Sequence, residues 1–141
     1  RIKADALRAI DDDTQAFYDM MDSMRLPKGT DEEKAIRNEA IQTATKKAIM
    51  VPFRTLEIAH ECVVLASRIA KIGNTNALSD AGVAAITANA GAKAAYLNVK
   101  INMGSIEDEA FKNDILKKSE ELAQKINELA IQVEKDIIAS L

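Results

Sequence analysis

Apolar side chains recur at steps of three and four residues along most of this 141-residue chain, which places them on single faces of α-helices. No stretch shows a convincing alternation of apolar and polar residues of the kind that a half-buried strand needs. The pattern predicts helices over residues 2 to 24, 31 to about 72, 81 to 103, and from Ser105 and Asp108 toward Leu141. The chain is therefore expected to be all-α.

Capping and helix-breaking residues mark the boundaries of the second predicted helix. Thr30 and Glu33 stand three residues apart, as in a capping box, where each side chain accepts a hydrogen bond from the backbone N–H of the other residue. Gly73 is expected to end this helix as a left-handed C-cap. Proline has no amide hydrogen and clashes with the preceding turn, so we expect a kink or a break at Val51-Pro52.

The faces of the predicted helices indicate how they pack. Residues 53 to 72 are apolar on most sides, as in a helix buried among others. Residues 81 to 103 are rich in Ala, and their two glycines indicate close packing against another helix or near a ligand. A bundle-type seam follows at Ile115, Leu122, Ile126, Leu129, Val133 and Ile137. We predict one domain over residues 1–141, an antiparallel bundle of about four or five long helices.

Composition narrows the class of protein. A hydrophobic share of 48% is enough for a packed core, and 19 Lys and Arg against 22 Asp and Glu give a net charge of −3. This charge argues against nucleic acid as a partner. No apolar run reaches the roughly 20 residues of a membrane helix, so we expect no membrane association. The single cysteine cannot form an internal disulfide, which favours a cytoplasmic location.

One segment of the second helix carries residues typical of metal and nucleophile chemistry. Glu57 and His60 show the Glu-x-x-His step of di-iron bundles, but such a site needs two pairs and the chain has one histidine. We therefore expect no metal, interpret His60 as a packing or surface residue, and keep Glu57 as a candidate cleft carboxylate. Cys62 is interpreted as a small hydrophobe, because no activating base accompanies it.

An acidic residue interrupts the apolar stripe of the first predicted helix. Asp13 lies one turn before Phe17 on this stripe. A charge on a core face is costly unless it is paired or functional, so Asp13 is either an ion-pair partner or a site residue. The other members of the stripe are Ile2, Ala6, Ala9, Met20 and Met24.

The third helix carries the remaining polar candidates. Asn98 and Asn102 lie one turn apart on a face of small residues, and their amides need partners in the protein or in a ligand. Ser79 is expected to cap this helix, with Asp80 in the first turn, where a carboxylate is favoured by the helix dipole and could act as an acid or base. A neighbouring stripe is either ordinary polar surface or a site for an anionic ligand, and consists of Tyr96, Lys93 and Lys100.

An ordered set of short motifs resembles one family. The motifs are Asp13-Thr14-Gln15-Ala16-Phe17, Leu26-Pro27-Lys28, Val51-Pro52, Gly73-Asn74-Thr75-Asn76-Ala77-Leu78-Ser79-Asp80, and Ala95-Tyr96-Leu97-Asn98-Val99-Lys100-Ile101-Asn102. The chain is similar to the formimidoyltetrahydrofolate cyclodeaminases, a family that includes methenyltetrahydrofolate cyclohydrolases of the same fold. The resemblance implies an all-α homodimer that takes a tetrahydrofolate derivative as substrate, holds no tightly bound cofactor, and occurs alone or with a formiminotransferase domain.

The resemblance also implies a reaction. N10 of 5-formimidoyltetrahydrofolate attacks the formimidoyl carbon, closing 5,10-methenyltetrahydrofolate and releasing ammonia; the alternative is hydrolysis of the methenyl compound. A carboxylate suits proton transfer and stabilisation of the developing cation, and the candidates are Asp80, Glu57 and Asp13. Asn98, Asn102 and Tyr96 would orient the pterin or hold the acid. The glutamate tail would meet Lys93, Lys100 or Arg54.

Two expectations remain open at this point. Members of the family begin with a Gly-rich segment of Pro-Gly-Gly-Gly-Ser type and a small-residue helix, and residues 1–141 lack this expected N-terminal segment. The alternative to an enzyme is a helical, homodimerising interaction module built on the seam over residues 115 to 137.

Overall fold

The chain folds into four long α-helices joined by short links. The structure, a computed structural model, describes residues 1–72 and 75–140. The helices are α1 (Ile2–Arg25), α2 (Asp31–Ile72), α3 (Leu78–Asn102) and α4 (Glu109–Ile138), with 3-10 turns at Thr75–Ala77 and Met103–Ser105. The described ranges contain no strand, which confirms the all-α prediction.

Contacts between the helices define their directions. α2 packs against each of the other three helices, and α3 also packs against α4. The defining contacts are Asp5–Arg54 and Asp19–Lys47 between α1 and α2, and Gly82–Ile137 and Asn89–Asn127 between α3 and α4. In both sets the residue number rises along one helix and falls along the other, so these neighbours are antiparallel, as their short links favour.

The core lies where α2, α3 and α4 meet. Ile49, Leu56 and Val63 of α2 are fully buried, as is Ile126 of α4. Each such side chain stabilises the fold by about 1.5–3 kcal/mol relative to an exposed one. In the predicted seam of α4, four residues are buried and Leu122 and Leu129 pack partly against the core; the buried four are Ile115, Ile126, Val133 and Ile137. The seam therefore packs within the chain, which removes the motive for an interaction module built on it.

Two of the predicted helix starts are confirmed in atomic detail. The Glu33 carboxylate accepts from the Thr30 N–H at 3.0 Å, and the Thr30 hydroxyl accepts from the Glu33 N–H at 3.1 Å, which forms the predicted capping box. Asp108 caps α4, its carboxylate accepting from the Phe111 N–H at 3.0 Å.

The start of α3 differs from the prediction. Ala77 is the N-cap residue and no side chain caps this end, so Ser79 lies inside the first turn and the predicted cap is wrong. The buried side chain of Leu78 packs into the core and favours a helix that begins before Ser79. Asp80 does lie in the first turn. The predicted C-cap at Gly73 lies outside the described residues.

Pro52 does not end a helix. α2 continues from Asp31 to Ile72 with the proline inside it, so a break at this point is wrong. The ring of Pro52 is buried against neighbouring helices, and tertiary packing of this kind outweighs the poor helix propensity of proline.

The buried face of α1 also differs from the prediction. Ala16 and Ser23 are the buried residues of this helix, whereas Phe17 and Met24 are 61% and 49% exposed. The fully buried positions of α1 thus hold small side chains, and these two larger apolar residues stay exposed. Within the described ranges, none of the helices combines the length and hydropathy needed to cross a membrane.

Candidate functional site

A groove of about 700 Å³ lies between α1 and α3, with the middle of α2 as its floor. Small residues form much of its walls and floor: Ala6, Ala9, Ala48, Gly91, Ala94 and Ala95. The short side chains leave the two walls apart, so the volume follows directly from the Ala- and Gly-rich sequence. A cleft of this size falls within the range of small-molecule sites.

Three of the polar residues predicted from sequence meet in this groove. Asp13 enters from α1, and Asn98 and Asn102 enter from α3 on the opposite wall. Among the described residues, none of these three side chains has an ion-pair or hydrogen-bond partner. Of the two interpretations of Asp13, a buried ion pair is therefore wrong: its side chain is exposed to the groove. Unpaired carboxylate and amide groups that converge on one cleft are available to a ligand.

Glu57 and Arg54 lie beside the groove but are engaged with each other. Their side chains form an ion pair at 2.8 Å, and Arg54 lies 3.7 Å from Asp5 of α1. The pKa of Arg54 is raised, mainly because its guanidinium donates a hydrogen bond to the Glu57 carboxylate. Neither residue is among those that line the groove. A role in catalysis or in binding the glutamate tail would require this pair to open.

The other sequence candidates lie on different surfaces of α3. Asp80 is exposed in the first turn of α3, outside the groove. Lys100 places its Nζ 5.4 Å from the centroid of the Tyr96 ring, a cation–π contact on a neighbouring stripe of the helix. Lys93 is exposed on this same stripe. The structure therefore does not bring these four residues together with Asp13.

His60 and Cys62 are half-buried in α2. Burial, and secondarily the negative charge of Glu61, raises the pKa of the Cys62 thiol, which disfavours the reactive thiolate. Within the part of the chain that the structure describes, no three His, Cys, Asp or Glu side chains are grouped so as to hold a metal ion.

Sequence reasoning missed several residues of the groove. Thr14 and Thr55 line it, and their hydroxyls donate to the carbonyls of Ile10 and Val51 at 3.1 and 3.2 Å. Thr14 could have been predicted from the sequence, because it directly follows the candidate site residue Asp13. Thr55 lies one turn after Val51, but which face of α2 meets the groove depends on tertiary packing, which the sequence pattern does not define.

A second, more open cavity of about 580 Å³ lies between the end of α1 and the start of α2. Two of its charged residues are already paired with each other, since Lys47 donates to Asp19 at 3.2 Å. Hydrogen bonds from Gln15 and then from Lys47 lower the pKa of the Asp19 carboxyl. The groove between α1 and α3, in which Asp13, Asn98 and Asn102 have no partner among the described residues, is therefore the stronger candidate.

The fold and the groove define a class: an all-helical bundle with a cleft of small-molecule size, lined by one carboxylate and two amides. The family model described as formiminotransferase-cyclodeaminase matches residues 1–121, and the chain belongs to this family. The resemblance carried by the sequence motifs is thus confirmed.

Individual relatives agree with this assignment. A methenyltetrahydrofolate cyclohydrolase of Methylorubrum extorquens is 45% identical over 113 residues, which are 80% of this chain and 54% of that protein. A formimidoyltransferase-cyclodeaminase of Rattus norvegicus is 35% identical over 73% of this chain and 19% of its own length. The crystal structure of a formiminotetrahydrofolate cyclodeaminase from Thermotoga maritima matches with a TM-score of 0.84 and 25% identity, covering 98% of this chain and 65% of that one. The chain spans about half the length of the cyclohydrolase.

Proposed function

We propose that this chain forms the substrate groove of a folate-dependent one-carbon enzyme that closes 5-formimidoyltetrahydrofolate to 5,10-methenyltetrahydrofolate with release of ammonia. The observation that carries the proposal is the convergence on one cleft of Asp13, Asn98 and Asn102, which have no partners within residues 1–72 and 75–140. Membership of the formiminotransferase-cyclodeaminase family supports the substrate class.

The chemistry asks little of the protein beyond positioning and proton transfer. N10 attacks the formimidoyl carbon, the new C–N10 bond forms, and the bond from that carbon to the exocyclic nitrogen breaks. The N10 proton must reach the leaving nitrogen so that it departs as neutral ammonia, while one positive charge stays on the methenyl product. The Asp13 carboxylate takes the proton from N10, passes it to the leaving nitrogen and offsets the cationic charge.

The two amides complete this arrangement from the opposite wall. Asn98 and Asn102 orient the folate and hold N10 near the carbon that it attacks. This positioning raises the effective concentration of N10 at that carbon. Asp80 and Glu57 remain the alternative acid–base residues. Tyr96, Lys93, Lys100 and Arg54 remain candidates for contacts with the rest of the substrate.

Hydrolysis of 5,10-methenyltetrahydrofolate is the second candidate function. The relative with 45% identity, named a methenyltetrahydrofolate cyclohydrolase, favours it. Water then adds to the methenyl carbon and gives one proton to Asp13. The bond from that carbon to one of its two nitrogens breaks, the hydroxyl proton passes to that nitrogen, and a neutral formyl product and one proton result. The same groove serves both reactions.

An absorbance assay of methenyltetrahydrofolate tests both reactions, since one forms this compound and the other consumes it. We expect Asp13→Asn to lower turnover by about 100-fold or more, because it removes the acid–base group and its charge. Asp12→Asn is the matched control: Asp12 is exposed on α1 outside the groove, and its loss should change turnover less than twofold. Equal turnover in the two variants would contradict the role of Asp13. Inactivity of the full wild-type protein on both compounds would contradict the function itself.

The proposed enzyme is a homodimer without a tightly bound cofactor, located in the cytoplasm. Exposed apolar residues of α1 support the dimer, namely Leu7, Ile10, Phe17 and Met24, of which Ile10 also lines the groove. The relatives named formimidoyltransferase-cyclodeaminase support an association with a formiminotransferase domain. Light scattering measures the oligomeric state, and a monomer at micromolar concentration would contradict the dimer.

A further inference from the structure

The side chains that line the groove carry negative charge and hydrogen-bond acceptors but no positive charge. Asp13 is the one charged residue on its described lining, which contains no Lys, Arg or His. The hydroxyl hydrogens of Thr14 and Thr55 are already donated to backbone carbonyls, so both threonines offer lone pairs to the cleft. Apart from the amides of Asn98 and Asn102, the polar side chains of the lining therefore act as hydrogen-bond acceptors.

The floor of the groove adds a backbone acceptor. In an α-helix the carbonyl of residue i accepts from the N–H of residue i+4, and Pro52 has no N–H for the carbonyl of Ala48. Both residues line the groove. The proline thus leaves, inside α2, an acceptor position that a residue with an amide hydrogen would have filled.

We infer that the groove binds the pterin end of the folate, where N–H donors and the cationic one-carbon unit lie, and leaves the glutamate carboxylates outside. This inference rests on the proposed function and deepens it. The exposed Asp13 carboxylate and a backbone carbonyl that lacks its regular helical N–H donor gain from ligand N–H groups and positive charge. A glutamate tail brings two more carboxylates, which Asp13 repels and for which the lining offers no cation.

Two fragments of folate separate the two ends of the molecule. 6-Methyltetrahydropterin represents the ring end and 4-aminobenzoylglutamate represents the tail, and each is titrated into the full protein while backbone amide resonances are followed by NMR. We expect the pterin fragment to shift the amide signals of Gly91 and Thr55 and the tail fragment to leave them unchanged. Shifts at Gly91 and Thr55 caused by the tail fragment alone would overturn the inference.

Pro52→Ala tests the backbone acceptor directly. The variant restores an N–H at position 52, which occupies the carbonyl of Ala48, and alanine is the better helix former, so the fold should persist. Loss of one hydrogen bond predicts three- to tenfold weaker binding of the pterin fragment. Pro27→Ala, in the exposed link between α1 and α2, is the control and should bind as the wild type does.

The outcomes distinguish the inference from the proposed function. A protein that turns over folate but shows equal pterin affinity in the Pro52→Ala and Pro27→Ala variants overturns the role of the Ala48 carbonyl and leaves the function standing. A protein that binds neither fragment and turns over neither folate overturns both. Thermal unfolding of both variants shows whether a loss of affinity comes from a loss of folded protein.

Discussion

α3 has two faces that contain the same residue types, Gly and Asn, but differ in what they contact. One face packs closely against α4, and the other is open to the groove. On the face toward α4, a Cβ added to Gly82 would lie 3.3 Å from the Cδ1 of Ile137, so this glycine allows two helices to pack closely. On the face toward α1, a Cβ added to Gly91 would meet nothing within 4 Å. One glycine is needed by the fold, and the other faces open space in the groove.

The asparagines of α3 show the same division. The Asn89 amide donates to the Asn127 carbonyl oxygen at 3.2 Å across the α3–α4 interface. Asn98 and Asn102 have no such partner in the described chain and face the groove. An amide within the bundle stabilises the packing of two helices, whereas an amide at the groove is available to a ligand.

The same large substitution at the two glycines gives the sharpest test of this division. Gly82→Leu forces the side chain into Ile137 and should lower the free energy of unfolding by about 1–3 kcal/mol or more. Gly91→Leu should keep or slightly raise stability, because leucine is the better helix former by about 0.8 kcal/mol, while it fills the groove. Denaturant unfolding measures the first effect, and we expect folate turnover of Gly91→Leu to fall at least about tenfold. Two variants with the same stability loss would break the comparison.

The asparagines allow a second, smaller test. Asn98→Ala should weaken folate binding about five- to tenfold, by loss of one hydrogen bond, with stability unchanged within about 0.5 kcal/mol. Asn89→Ala should do the reverse, costing about 1 kcal/mol of stability by leaving Asn127 unpaired, without a direct effect on binding. Titration calorimetry and urea denaturation measure the two quantities. Reduced binding in Asn89→Ala at full stability would contradict the division.

The smallest expected effect concerns acid sensitivity at the start of α4. A hydrogen bond from Lys46, and then one from the Phe111 N–H, lowers the pKa of the Asp108 carboxyl below its ordinary 3.8. Because the pKa is depressed in the folded state, this stabilisation is present above pH 3.8 and is lost as the pH falls through the lower folded value. Asp108→Ala should therefore unfold at a lower urea concentration than the wild type at pH 7, and the difference should shrink toward pH 2. A constant difference across this range would contradict a charge-dependent cap.

Local rules accounted for the parts of the fold that depend on neighbours in sequence. Helical periodicity, the pairing of Thr30 with Glu33 and the start of the last helix at Asp108 each involve residues within a turn of one another, and the structure confirms them. Ser79 failed as a cap because the packing of Leu78, a tertiary effect, decides where α3 begins.

The site was predictable only in part, for the same reason. Asp13, Asn98 and Asn102 could be singled out as polar groups on apolar or small-residue faces, which is a local property. Whether Glu57 or Asp13 faces the cleft depends on how α1 and α3 pack on α2. The sequence pattern likewise did not show that Arg54 would pair with Glu57, since both residues could equally have pointed to a ligand.

The two walls of the groove differ in how firmly they are anchored. Gln42 of α2 donates to the carbonyl of Ser105 at 2.9 Å and accepts from the N–H of Glu107 at 3.0 Å, so α2 holds the link that follows α3. α1 fully buries Ala16 and Ser23 alone, and its further contacts with α2 include the partly buried Met20 beside Thr45 and the ion pairs of Asp5 and Asp19. Displacing α1 therefore disrupts little buried apolar surface, whereas displacing α3 breaks the core. We therefore expect α3 to stay in place when a ligand binds in the groove. The helix that adjusts its position is α1, which carries Asp13.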